Sequence, residues 1–220
     1  MSNKHFFKRR FKKQAVLAVM FVLLITAGWF FPLLGYFIVL CMLGGVSVGL
    51  VKGRKWCDWY CPRGSFYDIF GKYIGAGKRI PTVLKRIPLR IFILFLLMVT
   101  MSVQLYVRWP KPYVMGKFFV ILLTATTVAG VFAALFIHSR TWCFVCPVGT
   151  LSNLGGKNKK PLKLNSELCI RCGACESICP VQIKITKYKG SSDWIVLQER
   201  DCLKCGQCIE ICPQNALKLK

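Results

Sequence analysis

Residues 14–51 decide the fold, and they read QAVLAVMFVLLITAGWFFPLLGYFIVLCMLGGVSVGLV, 38 consecutive positions without a charged side chain. A single helix of this length would reach about 57 Å at 1.5 Å per residue, whereas the hydrocarbon core of a bilayer is about 30 Å thick. The run must therefore fold back on itself. Because Gly28 and Pro32 interrupt the helical pattern, the sequence predicts two membrane spans, at 14–31 and 33–51.

Two further apolar runs predict a third span at 89–107 and a fourth at 117–138. Apolar residues make up 55% of the chain, more than an ordinary soluble domain holds, and this content also excludes intrinsic disorder. We therefore predict a mostly α membrane protein, with a basic cytoplasmic arm at 1–13 and a four-helix membrane domain at 14–155.

The charge is strongly basic, with 32 Lys and Arg against 8 Asp and Glu. Residues 1–160 hold 23 of the basic residues and only two acids. The basic residues cluster between the apolar runs, which is typical of membrane proteins and not of nucleic-acid binders. Because the arm and the 52–88 loop are the basic segments, the positive-inside rule predicts a multi-pass protein of the cytoplasmic (inner) membrane with both termini cytoplasmic. No nucleic-acid partner is expected.

A motif occurs twice, beginning at Arg54 and again at Arg140. Both copies read R-x-W-C-x(2,3)-C-P-x-G-[S/T], with CxxxCP at 57–62 and CxxCP at 143–147, and each follows a predicted pair of helices. We therefore predict two repeated helical hairpins, an arrangement that often places a site at the interface of the halves. The motif cysteines, which we interpret as a shared iron or iron–sulfur site, are Cys57, Cys61, Cys143 and Cys146. A redox dithiol pair and purely structural helix ends remain as alternatives.

Residues 161–220 contain the spacing C-x2-C-x2-C-x3-C-P twice, beginning at Cys169 and at Cys202. In the bacterial iron–sulfur run of this spacing, the fourth cysteine ligates the other cluster. This predicts a small α+β ferredoxin-like domain with two [4Fe–4S] clusters. Crossed ligation assigns one cluster to Cys169, Cys172, Cys175 and Cys212, and the other to Cys202, Cys205, Cys208 and Cys179. Zinc is the competing interpretation, but it requires neither three evenly spaced cysteines nor a crossed fourth.

The remaining metal-binding residue types are few. The two histidines are His5 and His138, and without a C-x-x-C-H sequence no haem is expected. His138 is either a helix-end contact or a proton acceptor beside a quinone headgroup. Cys41, within the second span, is interpreted as a small apolar residue.

With four spans, Cys-Pro motifs after paired helices and a C-terminal two-cluster module, the chain resembles the membrane iron–sulfur proteins of the NapH/NosR type and the related CcoG type. The NapH resemblance implies a quinol dehydrogenase component that passes electrons between the membrane quinone pool and a redox partner. The CcoG resemblance implies copper reduction during oxidase assembly. The family motif is CxxxCP, which Cys57 and Cys61 match and which Cys143 and Cys146 shorten by one residue.

We therefore predict a membrane-bound electron-transfer protein that passes single electrons between the quinol/quinone pool, or a companion membrane redox subunit, and the cytoplasmic-side clusters. Its other partner would be a soluble or membrane-associated redox protein, and the chain would act as the electron-transfer subunit of a quinol-linked oxidoreductase complex. We expect no catalytic acid–base residue in the chain itself. The alternatives are an assembly or maturation factor that reduces a metal or thiol for another metalloenzyme, and a non-catalytic anchor.

Overall fold

A computed structural model describes residues 2–156, 159–190 and 193–219. A short linker joins the predicted membrane domain to the predicted ferredoxin-like domain. Residue 1 of the predicted arm, residues 157–158 of this linker, and residues 191–192 and 220 of the predicted ferredoxin-like domain lie outside the described residues.

The part of the chain before the linker is helical. Its helices, in chain order, are α1 (Ser2–Phe30), α2 (Phe37–Lys52), α3 (Lys55–Trp59), α4 (Pro62–Ile74), α5 (Ile87–Arg108), α6 (Pro112–Phe136), α7 (Trp142–Val145) and α8 (Pro147–Gly155). Four of these described helices are long and apolar enough to cross a membrane, as the sequence predicts. The arm is the N-terminal part of α1, because Lys and Arg are favourable helix residues and nothing in the arm breaks the helix.

The chain reverses between α1 and α2 at the predicted break. A short 3-10 turn at Pro32–Tyr36 follows α1, since Pro32 lacks the N–H that a continuing helix would use. Gly35 packs against Gly116 near the start of α6, and a Cβ atom on either glycine would overlap the facing backbone. The turn between α1 and α2 is thereby held against the N-terminal part of α6.

Each Cys-Pro motif ends one short helix and begins the next. Cys61 and Cys146 precede prolines, which restrict them to extended backbone, with ψ of 111° and 134°. The prolines then occupy the first turns of α4 and α8, where a missing N–H costs nothing. The sharp change of direction keeps both cysteines of each motif close to the junction between the two helices.

The short helices of each half pack on a long helix of the other half. We call α1–α4 the first half and α5–α8 the second half. Helix α4 contacts α6 as well as α1, and α8 contacts α2 as well as α5. The two halves are therefore intertwined at the end where the motifs lie.

The residues after the linker, which we call the tail, form a small α+β domain. Its three-stranded antiparallel sheet has the order β2-β1-β3, built from β1 (Leu162–Asn165), β2 (Trp194–Leu197) and β3 (Leu217–Leu219), with the short helices α9 (Ala174–Ser177) and α10 (Gln207–Glu210). We call α1–α8 together the membrane half of the protein. The buried apolar residues of the tail form one cluster with Cys57 and Phe144 of the membrane half. The tail is thus packed against the Cys-Pro motifs.

Candidate iron–sulfur sites

Two cavities in the tail are each lined by four cysteines. The first is lined by Cys179, Cys202, Cys205 and Cys208, and the second by Cys169, Cys172, Cys175 and Cys212. Each cavity therefore receives three cysteines from one run and the fourth from the other. This grouping is the one that crossed ligation requires.

The backbone around the two cavities adopts the same unusual shape twice. Arg171 and Lys204, two residues after the first cysteine of each run, have φ of 55° and 53°. Gln182 and Asn215, three residues after the fourth cysteine of each run, have φ of 54° and 49°. Left-handed backbone is costly for residues with a side chain and persists where the surroundings impose it. The matched pairs indicate that each cavity imposes the same loop shape.

The chemistry of the donors distinguishes a cluster from a zinc ion. Within the described ranges, no three His, Cys, Asp or Glu side chains lie close enough to share one metal ion. Zinc requires four ligands around a single ion, whereas the cysteines of a [4Fe–4S] cluster each bind a different iron. Four thiols around a cavity therefore fit a cluster.

The two tail cavities face different surroundings. Lys204 lies against Gly53, and Gly206 lies against the ring of Phe6 in α1, so the cavity lined by Cys205 faces the membrane half. Burial raises the pKa of the Cys205 thiol to about 12. In the other cavity Cys172 is exposed to solvent. One site is thus internal and the other external.

All four Cys-Pro cysteines line a single cavity between the long helices. Its volume is about 150 Å³, and its walls are overwhelmingly apolar. Helices α1, α2, α5 and α6 all contribute side chains to it, and the two motifs lie at one end. Cys41 of α2 also lines this cavity, which the sequence did not indicate. The four motif cysteines that the sequence grouped therefore line one cavity, although no three of them among the described residues lie close enough to share one metal ion.

The two motifs exchange a reciprocal pair of hydrogen bonds. Arg54 Nη2 donates to the carbonyl of Cys143 and Arg140 Nη1 donates to the carbonyl of Cys57, each at 2.7 Å. Both arginines are buried. A Cβ atom on Gly64 would lie 2.7 Å from the Cys57 carbonyl oxygen, and one on Gly149 would overlap the Cys143 carbonyl. The repeated Arg and Gly of the motif, whose roles the sequence left unassigned, are thereby explained.

Arg140 is neutralised within the membrane half. Its Nε donates to Asp68 at 2.6 Å, and its Nη2 donates to both Asp68 and Asp58. Arg10 of α1 donates to the same two carboxylates, and Gln14 donates to Asp68. Burial opposes ionisation of Asp68, but the charge and hydrogen bonds of Arg140 lower its pKa.

Arg54 is neutralised by the tail. Its Nη1 lies 2.8 Å from Asp201 Oδ1, and Arg90 of α5 binds both carboxylate oxygens of the same residue. Asn153 of α8 donates to Asp201 at 2.6 Å. Burial opposes ionisation of Asp201, but the hydrogen bond from Arg90 and the charges of Arg54 and Arg90 lower its pKa. Sequence reasoning placed Arg54 in the repeated motif but missed its partners, because acids and arginines so far apart in the chain give no local signal.

The motif thiols lie in a low-dielectric setting with two cations nearby. Burial raises the pKa of Cys57 to about 11, against the opposing charge of Arg54, and burial also raises the pKa values of Cys61 and Cys143. Arg140 Nη1 lies 3.8 Å from the Cys143 sulfur. Metal binding would require thiolates, whose negative charge the two guanidinium groups can offset.

Hydrogen-bond donors without partners lie in the same region. Arg63 Nη2 and Trp142 Nε1 belong to residues that line the cavity, and among the described residues neither atom has a hydrogen-bond partner. The Arg63 guanidinium lies 4.8 Å from the centre of the Trp142 ring. Buried donors are normally satisfied, so these two atoms are exceptions within the described part of the chain.

His138 makes a local hydrogen bond after the end of α6. Its Nδ1 accepts from the backbone N–H of Arg140 at 3.2 Å. It is not among the described residues that line the cavity. The hydrogen bond supports the helix-end interpretation, and the proton-acceptor role stays a prediction.

Comparisons with known proteins agree with these sites. A family model described as "4Fe-4S binding domain" matches residues 34–81 and again residues 118–165, each of which contains one Cys-Pro motif. A second, described as "4Fe-4S dicluster domain", matches residues 168–217. No solved structure matches the chain.

Three curated relatives are similar over about two thirds or more of this chain. Protein MJ0749 of Methanocaldococcus jannaschii is 30% identical over 64% of this chain and 57% of its own length. Electron transport protein YccM of Escherichia coli is 30% identical over 68% of this chain and 47% of its own length. The methylamine utilization ferredoxin-type protein MauN of Paracoccus denitrificans is 29% identical over 78% of this chain and 63% of its own length.

The chain thus spans about half to two thirds of the length of these relatives. It carries ferredoxin-type 4Fe-4S domains, it has four helices compatible with a multi-pass membrane protein, and its relatives include proteins named for electron transport. Together these findings support an electron-transfer role.

Proposed function

We propose that this protein passes single electrons from membrane quinol to a partner on the cytoplasmic side, through an iron–sulfur site at the Cys-Pro motifs and two [4Fe–4S] clusters in the tail. The observation that carries the proposal is the cavity that all four long helices line. The four motif cysteines line this same cavity. A reductant dissolved in the membrane would therefore meet thiolate ligands without leaving the protein.

The lining of the cavity suits the apolar ring of a quinol. Its walls are overwhelmingly apolar, and Arg63 and Trp142, which each carry a buried donor without a partner among the described residues, are two of the residues that line it. Oxidation of one quinol to quinone releases two electrons and two protons. Because iron–sulfur clusters supply one-electron carriers, two of them in the tail match the two electrons of one quinol.

The burial of the tail sites supports an order for the electron path. The residues of the internal site (Cys179, Cys202, Cys205 and Cys208) lie against the membrane half, and those of the external site (Cys169, Cys172, Cys175 and Cys212) include the exposed Cys172. Ile170, beside Cys172, is 61% exposed. We place the internal site next to the Cys-Pro motifs and the contact with the partner redox protein at Cys172.

Orientation and symmetry complete the proposal. The basic flanks of the helices favour both termini in the cytoplasm, in the inner membrane. The reciprocal Arg54 and Arg140 hydrogen bonds, with α4 on α6 and α8 on α2, support two halves that repeat one hairpin design. The names of relatives favour a subunit of a redox complex.

The decisive experiment combines quinol reduction with cysteine substitution. Duroquinol added to anaerobically purified, oxidised protein should reduce the tail clusters, as followed by electron paramagnetic resonance. Cys57→Ser and Cys143→Ser should each abolish a third iron signal and slow reduction by duroquinol, while dithionite still reduces both tail clusters. Cys41→Ser is the matched control, because Cys41 lines the cavity outside the motifs and its loss should leave the iron signals unchanged.

Two results would contradict the proposal. If both motif substitutions leave iron content and reduction unchanged, the motifs are structural. If the tail clusters of the unmodified protein stay oxidised in duroquinol, the quinol partner is wrong, and reduction of a metal or thiol for another metalloenzyme becomes the better function.

A further inference from the structure

The tail inserts one carboxylate into the membrane half, that of Asp201. This residue directly precedes Cys202 of the internal cluster site. Four hydrogen bonds of 2.6 to 2.8 Å reach the carboxylate: one from Arg54, two from Arg90 and one from Asn153. The two arginines are almost fully buried, with side-chain exposures of 1% and 3%. Charge-assisted hydrogen bonds of this kind are the strong ones.

The second half of the membrane unit lacks the acids that this position requires. Aligning the motifs on their cysteines places Phe144 where the first half has Asp58, and Asn153 where it has Asp68. In the first half those two acids neutralise Arg140. Asp201 of the tail is the carboxylate that binds Arg54 in their stead. A buried unpaired guanidinium is costly, so the second half is electrostatically incomplete without the tail.

The same contact links the metal sites. Arg54 binds Asp201 through Nη1 and the Cys143 carbonyl through Nη2, and it precedes Cys57 by three residues. One buried side chain therefore connects the neighbour of Cys202 to both Cys-Pro motifs.

We propose that Asp201 is a positioning residue that completes the second half and holds the internal cluster site at a fixed place beside the four motif cysteines. The other polar contacts between the tail and the membrane half are weaker in kind. Gln182 accepts from the Ile80 N–H and donates to the Lys78 carbonyl, and both of these hydrogen bonds are neutral. Lys85 Nζ donates one hydrogen bond to the Val181 carbonyl at 3.5 Å, which is longer than any of the four that reach the Asp201 carboxylate. Asp201 is therefore the contact whose loss should release the internal site.

The test compares Asp201→Asn with two other variants, using the full chain in detergent. Asp193→Asn makes the same change at an exposed position of the tail. Asn153→Asp/Asp201→Asn keeps a carboxylate for Arg54 but places it on α8, at the position that matches Asp68. The readouts are iron content, reduction by dithionite, the rate of reduction by duroquinol, and hydrogen exchange of the amides at residues 199–206.

Asp201→Asn should keep its iron and be fully reduced by dithionite, because Asp201 is not a cluster ligand. Its amides at 199–206 should lose protection on the order of a hundredfold, as expected when one partner of a buried charge pair is removed. Reduction by duroquinol should slow, because an internal site that is no longer held beside the motif cysteines lies farther from them and electron transfer weakens with distance. Asp193→Asn should match the unmodified protein in every readout.

The double variant separates positioning from charge balance. It should keep its iron, as Asp201→Asn does, and should regain the thermal stability of the membrane half, measured by unfolding in detergent, while its protection at 199–206 and its duroquinol rate stay low. If the double variant regains both, or if Asp201→Asn retains both, the positioning role is overturned. The duroquinol readout rests on the proposed function, but hydrogen exchange does not, so a protein that duroquinol fails to reduce still tests the contact.

Discussion

Arg140 and Arg54 occupy the same position in the two motifs and donate equivalent hydrogen bonds, yet they find their counter-charges in different parts of the chain. Asp58 and Asp68, both in the first half, neutralise Arg140. Arg54 is neutralised from the tail, by Asp201. The repeated motif therefore has two roles. Arg140 forms ion pairs within the membrane half, and Arg54 forms an ion pair with the tail.

The difference extends to single atoms. The Nε, Nη1 and Nη2 groups of Arg140 all donate hydrogen bonds. Arg54 Nε is buried and has no hydrogen-bond partner among the residues that the structure describes. Because an unsatisfied buried donor costs about 1–3 kcal/mol, Arg54 is held less favourably than Arg140. Of the two arginine sites, the one that Asp201 of the tail completes is therefore the weaker.

The difference between the two arginines predicts that the largest loss of stability occurs on substitution of Arg140. Arg140→Gln leaves Asp58 and Asp68 buried with only Arg10, and it should lower the free energy of unfolding by about 3–5 kcal/mol. Arg54→Gln should cost less, because Asp201 keeps its bidentate contact with Arg90. Denaturant unfolding in detergent, followed by tryptophan fluorescence, measures both.

Arg86→Gln is the matched control for these two variants, since Arg86 is exposed and should change stability by less than about 0.5 kcal/mol. Equal losses for Arg140→Gln and Arg54→Gln would show that the two arginines are held alike, contrary to the comparison.

A smaller effect should be equal in the two halves. Gly64→Ala and Gly149→Ala each place a methyl group against the carbonyl that accepts the reciprocal hydrogen bond. Overpacking of this kind costs about 1–3 kcal/mol, and the same unfolding measurement should give similar values for both variants. Gly190→Ala, which meets only the end of the Ile195 side chain, should cost less than about 0.5 kcal/mol. A loss in one half only would refute the reciprocity of the motifs.

The smallest effect should come from Asn153→Asp, which gives the second half a carboxylate at the position of Asp68. The new carboxylate and Asp201 would lie beside Arg54 and Arg90. This site would then hold two arginines and two acids, as the site of Arg10, Arg140, Asp58 and Asp68 does. The loss of the Asn153 hydrogen bond to Asp201 should be largely offset, and stability should change by less than about 1 kcal/mol. Asn153→Leu, which removes the amide without adding charge, should cost more. A loss above about 2 kcal/mol for Asn153→Asp would mean that the two positions are not equivalent.

Much of the architecture follows from local sequence. The four long helices follow from apolar runs whose lengths match a bilayer, and the break at Pro32 follows from the N–H that proline lacks. The extended backbone at Cys61 and Cys146 follows from the prolines after them. The predicted spans differ from the helices mainly at their ends, where α1 includes the arm and α6 begins at Pro112. These ends depend on propensities that the apolar pattern does not contain.

The grouping of the cysteines could also be predicted from the sequence, because cluster ligation requires a particular spacing within each run. The crossing of Cys179 and Cys212 between the two tail cavities and the convergence of the motif cysteines were both readable from repeated spacings. Arg63 and Trp142 were present in the motif region, but nothing in the sequence showed that one donor of each would be buried without a partner among the described residues.

What only the tertiary structure decided is where the buried charges are neutralised. Aligning the two motifs shows that Phe144 and Asn153 replace the acids of the first half, but it does not show which carboxylate compensates. Asp201 lies 147 residues from Arg54 in the chain, and no periodicity or spacing relates them. Apolar length and ligand spacing are local properties that a sequence records directly. The pairing of a buried guanidinium with a distant carboxylate depends on the packing of the tail against the membrane half, because the cost of an unpaired charge arises only once both groups leave water.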